Sequence, residues 1–243
     1  MKFKKSIDEG HLVRSIRIIF YVIIVIGPTT AFGQSLDQLI TEMVDSMGGY
    51  KAWTEIPVIR WTFDNRQTFY WDKTKDSVIM DRASQNLLVK FDLNSKKGSA
   101  WKSGEKVQDT QVGDYLDNAY LSWVNDSYWL AMPFKLKDPG VNLTYIGRGK
   151  ETDDYHQIEI TYNKGIGITP RNKYLIWINH KTSLINKWAF YIDRDDPEPV
   201  IVNKWSNYQQ FGGVLFSLDR EFYHITNVAV LDQLPKINDL LGN

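Results

Sequence analysis

The stretch Tyr128-Trp-Leu-Ala-Met-Pro-Phe-Lys-Leu-Lys-Asp-Pro-Gly-Val141 decides how the rest of the chain is read. It sets Trp129, Leu130 and Met132 against Pro133, then closes on the turn Asp138-Pro139-Gly140. Upstream, apolar residues recur at helical spacing; downstream, they alternate at period two. The stretch therefore marks where a helical insert hands back to a sheet. It is more apolar than a surface connection, which normally carries solvated backbone.

Working upstream, Tyr115, Leu116, Ala119, Tyr120, Trp123 and Val124 fall on one helical face, and Asp114 precedes them as a cap. Asn125-Asp126-Ser127 reads as the restart of a second short helix over Tyr128 to Met132, which Pro133 ends or kinks. Before the insert the period is two. Val58 to Asp64 places Ile59, Trp61 and Phe63 on one side. Gln67 to Asp72 and Ser77 to Asp81 form a hairpin, and Asn86 to Leu93 with Ser99 to Lys102 form another. At the start of this region Ser35 to Met47 is a helix. Ser35 caps it, Leu36, Leu39, Ile40, Met43, Val44 and Met47 share a face, and Gly48-Gly49 stops it. Tyr50 to Ile56 is a short helical connector anchored by Trp53.

Downstream the strands run Leu143 to Gly147, Tyr155 to Tyr162, Lys173 to Asn179, Leu184 to Ile192, Val200 to Tyr208, Val214 to Leu218 and Arg220 to Leu231, with a weakly structured tail from Pro235. The pattern predicts an α+β, mainly β domain: a curved antiparallel sheet with an N-terminal helix and a helical insert. No linker divides it.

Composition narrows the function. The net charge is zero, and the pI is near 6.9, which argues against nucleic acid as a partner. Aromatics make up 14% of the chain, with 9 Trp and 13 Tyr, which favours strands and large apolar contacts. The absence of Cys excludes disulfides, thiolate catalysis and Cys-based zinc sites. The N-terminus combines Lys2, Lys4, Lys5, Arg14 and Arg17 with the apolar run Ile18 to Ile26, Gly27-Pro28 and the small-residue pattern Ala31-Phe32-Gly33. The run is short for a bilayer span. It predicts a cleaved export signal over residues 1–33 and a single mature domain over 34–243 in the periplasm.

Catalytic patterns are missing. His11, His156, His180 and His224 are scattered, with no partner at metal-ligand spacing. No Gly-x-Ser-x-Gly elbow is present. The acidic loop Asp193 to Glu198 lacks calcium-loop spacing and reads as a hairpin tip. Gly165-Ile166-Gly167 is followed by a strand rather than by the helix N-terminus a phosphate needs. These readings give no catalytic residue, no metal and no cofactor. The aromatics remain: they form either a solid core or the lining of an apolar cavity.

The segment Met43-Val-Asp-Ser-Met-Gly-Gly49 with Trp53, the opening stretch, and Leu184-Ile-Asn-Lys-Trp188 resemble an uncharacterised Bacteroidetes-type group within the LolA/LolB-like superfamily. Those are periplasmic carriers of outer-membrane lipoproteins, built as an unclosed barrel under a helical lid. The resemblance implies a non-enzymatic protein that binds a lipid or a lipoprotein acyl chain, with Asp114 to Phe134 and the first helix as the lid. Trp61, Phe63, Trp71, Trp123, Trp129, Met132 and Phe134 are the expected apolar lining. The alternative is a structural or interaction protein of the cell envelope, with a solidly packed barrel and no ligand.

Overall fold

Helix α1, Leu36–Ser46, begins on a reciprocal cap: Ser35 Oγ accepts from the Gln38 backbone N–H while Gln38 Oε1 accepts from that of Ser35. Its stripe of Leu39, Ile40, Met43 and Val44 is buried. Gly48 stops it at φ 107°, and a Cβ there would collide with the Gly213 carbonyl. That close approach lets the Leu215 N–H donate to the Met47 carbonyl at 2.8 Å, tying the helix end to a strand near the other end of the chain. Helix α2, Gly49–Glu55, follows and buries Trp53. The computed structural model describes residues 35–148 and 154–242. The export signal expected over residues 1–33 lies outside the described residues.

The first sheet contains β1 (Val58–Phe63), β2 (Gln67–Asp72), β3 (Ser77–Arg82), β4 (Leu87–Asp92), β5 (Gly98–Lys102) and the short β6 (Glu105–Lys106). All pair antiparallel with their sequence neighbours, and the final strand β14 (Ile225–Leu231) adds at the β1 edge. Alternation puts one set of side chains on one face: Ile59 opposite Trp71, Trp61 opposite Phe69, Phe69 opposite Met80, Met80 opposite Val89, and Val89 opposite Ala100. All of these belong to the main core except Trp71, which is half-buried and packs against it.

The second sheet has the order β11 (Ile201–Lys204), β10 (Ile185–Tyr191), β9 (Lys173–Asn179), β8 (Tyr155–Tyr162), β7 (Val141–Arg148). It offers Ile158, Ile160, Ile176, Ile178 and Trp188 to the same core. Strands β12 (Ser206–Phe211) and β13 (Val214–Asp219) form a separate hairpin. The sheets are open and do not close into a barrel: among the described residues no ladder joins β6 or β14 to the second sheet.

Five expectations are corrected. The insert is one helix, α3 (Gly113–Ala131), followed by a 3-10 turn over Met132–Lys135, so Asn125-Asp126-Ser127 does not interrupt it. Asp126 and Ser127 are 3% and 4% exposed. Their polar groups are satisfied in helical geometry, Ser127 Oγ by the Val124 carbonyl and Asp126 by Gln67, so they do not act as breakers. The cap position is Val112, not Asp114. The expected strand Val200 to Tyr208 divides at Trp205, which is 2% exposed and whose backbone N–H donates to the Asn186 carbonyl. Sinking that indole into the core moves the chain from the second sheet to the hairpin. The expected strand from Arg220 to Leu231 starts only at Ile225, because Arg220 turns inward and Glu221 takes φ 68°. The tail contains a short helix, α4 (Ile237–Leu241).

Candidate functional site

Helix α3 joins the two sheets through aromatic side chains. Trp129 lies 5.4 Å from Phe63 of the first sheet and 4.6 Å, edge-on, from Trp188 of the second. Tyr128 meets Tyr174 at 5.2 Å and shares a short hydrogen bond with the Tyr162 hydroxyl. One turn earlier Trp123 meets Trp71 at 5.3 Å. After the helix, Phe134 stacks on Trp53 at 4.8 Å. Residues 128 and 129 point to different partners because successive helical positions differ by about 100°.

The expected lining residues all belong to this contact region or to the sheet face it meets. Trp61, Phe63, Met132, Phe134 and Trp129 are buried and packed on one another or on neighbouring rings; Trp61 stacks on Phe69 at 5.1 Å. Trp71 and Trp123 are half-buried, alongside Tyr115, Leu116 and Tyr120. The interface is therefore tight at the C-terminal half of α3 and looser at its N-terminal half. Sequence reasoning left Trp53, Trp188, Phe216 and Tyr223 out of the constellation. Period-two patterning places Trp188 and Phe216 on inward faces, but which face meets α3 is a matter of tertiary packing.

The polar groups of the interface are unevenly served. The indole N–H groups of Trp61, Trp71, Trp123, Trp188 and Trp205 are buried and have no protein acceptor among the described residues. Buried donors of this kind are uncommon and costly. Arg220 is 0% exposed. Its Nη2 donates to the Trp129 carbonyl at 2.8 Å, its Nη1 to Ser217 Oγ at 2.6 Å, and its guanidinium sits 3.5 Å above the Trp205 ring. Burial pulls its pKa down to about 9. Asp126 is held by Gln67 Nε2 at 2.5 Å and by Asn125 Nδ2 at 2.8 Å, and burial pushes its carboxyl above the usual range. Arg82 links β3 to α3 by donating to Ser122 Oγ at 3.1 Å. These contacts close α3 onto the sheets at both ends of its second half.

The histidine reading is corrected. His156 Nε2 and His180 Nδ1 lie 3.1 Å apart, and the Tyr145 hydroxyl is 3.1 Å from His156 Nδ1. Cross-strand pairing of β8 with β9 brings them together, although they are 24 residues apart in sequence. Burial, and then the neighbouring His180, lower the pKa of His156. His224 also has a partner, Asp219, at 3.4 Å. Among the described residues no group of three or more His, Cys, Asp or Glu side chains is placed to hold a metal. The acidic loop is a hairpin tip in which Arg171 bridges Asp193 and Asp195. No described helix is long and apolar enough to cross a membrane.

Two solved structures are similar to this chain. One is a LolA superfamily protein from Nitrosomonas europaea, at 11% identity and TM-score 0.35, covering 82% of this chain and 94% of that one. The other is a putative outer membrane lipoprotein-sorting protein domain from Vibrio parahaemolyticus, at 10% identity and TM-score 0.38, covering 84% and 98%. No curated protein matches the chain. Residues 59–240 match the family model DUF6503, described as a family of unknown function. The match takes in every strand from β2 to β14, α3 and the turn that follows it, and the chain belongs to the DUF6503 family.

Proposed function

We propose that this chain is an exported, non-enzymatic binding protein. Its mature domain, residues 34–243, takes an apolar ligand, an acyl chain of a lipid or lipoprotein, between α3 and the first sheet. Trp61, Phe63, Trp71, Trp123, Trp129, Met132 and Phe134 line the site once α3 moves away. The reading rests on the acceptor-less indole N–H groups of Trp61, Trp71 and Trp123 on the sheet face and helix that meet there. Each such donor costs about 1–3 kcal/mol relative to a satisfied one. A contact carrying that cost opens more easily than a fully satisfied core. The ester carbonyls at the head of an acyl chain are acceptors of the kind these donors lack. Each buried methylene then adds about 0.8 kcal/mol.

Native mass spectrometry of protein purified from its host, with a titration of fatty acids brominated along the chain, tests this. Co-purified lipid and quenching of tryptophan fluorescence are the expected results. A clean apo spectrum with no quenching sinks the proposal.

A second reading has its own observation. Most of the expected lining is packed on itself, while Tyr145 and Ile146 on the edge strand β7 are 44% and 51% exposed, and Val200 and Val202 at the opposite edge are 53% and 43% exposed. A filled domain that meets an envelope protein partner through a sheet edge fits that distribution. Loss of partner capture on Ile146→Lys, with no lipid ever detected, would favour it.

A further inference from the structure

We propose that the cleft between the β1–β2 turn, the β3–β4 connection and the middle of α3 is a binding site for a phosphate ester. The cleft measures about 610 Å³, within the range of small-molecule sites. Its lining is rich in donors: the guanidiniums of Arg66 and Arg82, the amides of Asn65 and Asn125, and the hydroxyls of Ser84 and Ser122.

Local sequence builds this lining. Asp64 and Asn65 take φ 49° and 53°, and the Arg66 N–H donates to the Phe63 carbonyl at 2.9 Å. Two successive left-handed residues are what a tight hairpin turn demands, and Asn and Asp tolerate them best after glycine. The turn delivers Asn65 and Arg66 to one wall. Arg82, at the end of β3, forms a second wall, and α3 supplies Ser122 and Asn125.

The electrostatics select an anion. Arg82 is half-buried, and its hydrogen-bond acceptors are Gln67 Oε1 at 3.3 Å, Ser122 Oγ at 3.1 Å and Met80 Sδ at 3.8 Å. All three are neutral. Arg66 is exposed, with a loose contact to Asp64 at 3.5 Å. Asp126, the one carboxylate among the described residues of the lining, is 3% exposed and is already engaged by Gln67 and Asn125. Burial raises its pKa, while its hydrogen bonds and the charges of Arg66 and Arg82 act in the opposite direction. A partly desolvated guanidinium with neutral acceptors gains strongly from an oxyanion, and its planar fork matches two phosphate oxygens. The remaining space, walled by amides and hydroxyls, suits a hydroxylated substituent. This assignment does not depend on the apolar reading, because none of the expected lining residues contributes to the cleft.

The phosphate ester has two sources, a soluble metabolite or the head group of an anionic phospholipid. Isothermal titration at low salt with glycerol 3-phosphate probes the first. Co-sedimentation with phosphatidylcholine vesicles, with and without phosphatidylglycerol, probes the second. Ser84→Glu places a negative charge at an exposed position of the wall and leaves the Arg82 network intact. Arg82→Gln removes the central cation. Both variants are expected to weaken binding at least about tenfold, and added salt to weaken it further. Binding of glycerol 3-phosphate alone identifies a soluble ligand, and binding of phosphatidylglycerol vesicles alone identifies a lipid head group; either supports the site. If neither probe binds, or if Ser84→Glu binds as well as the parent, the proposal is overturned. Should Arg82→Gln fail to fold, Ser84→Glu decides by itself.

Discussion

Replacing Trp129 with Ala and, separately, Trp123 with Ala tests the unevenness of the α3 contact. Trp129 is 9% exposed and touches Phe63, Trp188 and Tyr223. A buried indole removes about 200–250 Å² from water. At about 25 cal/mol per Å² that is roughly 5–6 kcal/mol. Compactness of the unfolded chain lowers the figure by about 10–40%. The expected cost of Trp129→Ala is therefore about 3–5 kcal/mol, in line with large-to-small substitutions in cores. Trp123 is half-buried, and its buried indole N–H has no protein acceptor among the described residues. Truncation there loses less area and removes a donor whose burial costs about 1–3 kcal/mol. Trp123→Ala should cost no more than about 1–2 kcal/mol. Urea unfolding followed by far-UV circular dichroism measures both, and at this domain size each kcal/mol corresponds to about 2–4 °C in Tm. Equal costs for the two variants, or a cost below about 1 kcal/mol for Trp129→Ala, would refute the account of α3 as tight at one half and loose at the other.

Three further outcomes follow from single contacts. Gly48→Ala should destabilise by at least about 2 kcal/mol in the same unfolding assay, because the position combines φ 107° with a backbone collision at Gly213. Arg220→Lys keeps a cation but cannot span both the Trp129 carbonyl and Ser217, so a loss of about 2–4 kcal/mol is expected; an unchanged denaturation midpoint would show that the guanidinium fork is not used. Asp126 has a folded-state pKa raised above its ordinary 3.8 by burial. The folded state thus holds its proton more tightly than the unfolded chain does, and the group's contribution to stability is greatest at low pH and falls as pH rises above 3.8 through the folded value. Asp126→Asn should remove that decline; stability curves of parent and variant that stay parallel across the window would contradict it.

Much of the framework was legible because it is set by short-range periodicity. The first helix, its Ser35 cap and the Gly48 stop depend on contacts within a few residues. Strands β2, β8 and β9 have the boundaries that alternation and turn chemistry predict, because pleating repeats every two residues whatever lies beyond. The aromatic character of the α3 contact was legible for the same reason, since Tyr120, Trp123 and Trp129 announce themselves by type and spacing.

Tertiary structure decided what short-range rules cannot reach. Asp126 and Ser127 read as helix breakers until Gln67, 59 residues away, and the Val124 carbonyl satisfy them inside one continuous helix. Trp205 divides a uniform-looking strand because a core in another part of the chain has room for its indole. His156 and His180 became neighbours only through the β8–β9 register, and Arg220 left the last strand to reach a carbonyl 91 residues away. The polar cleft around Arg82 is assembled from a turn, a strand end and the face of a helix, none of which carries a motif alone. The residue types and their alternation are properties of the chain taken locally. Whether Trp61, Phe63 and Trp129 fill the interior or line a space depends on how volumes from both sheets and α3 add in three dimensions, and no periodicity encodes that sum.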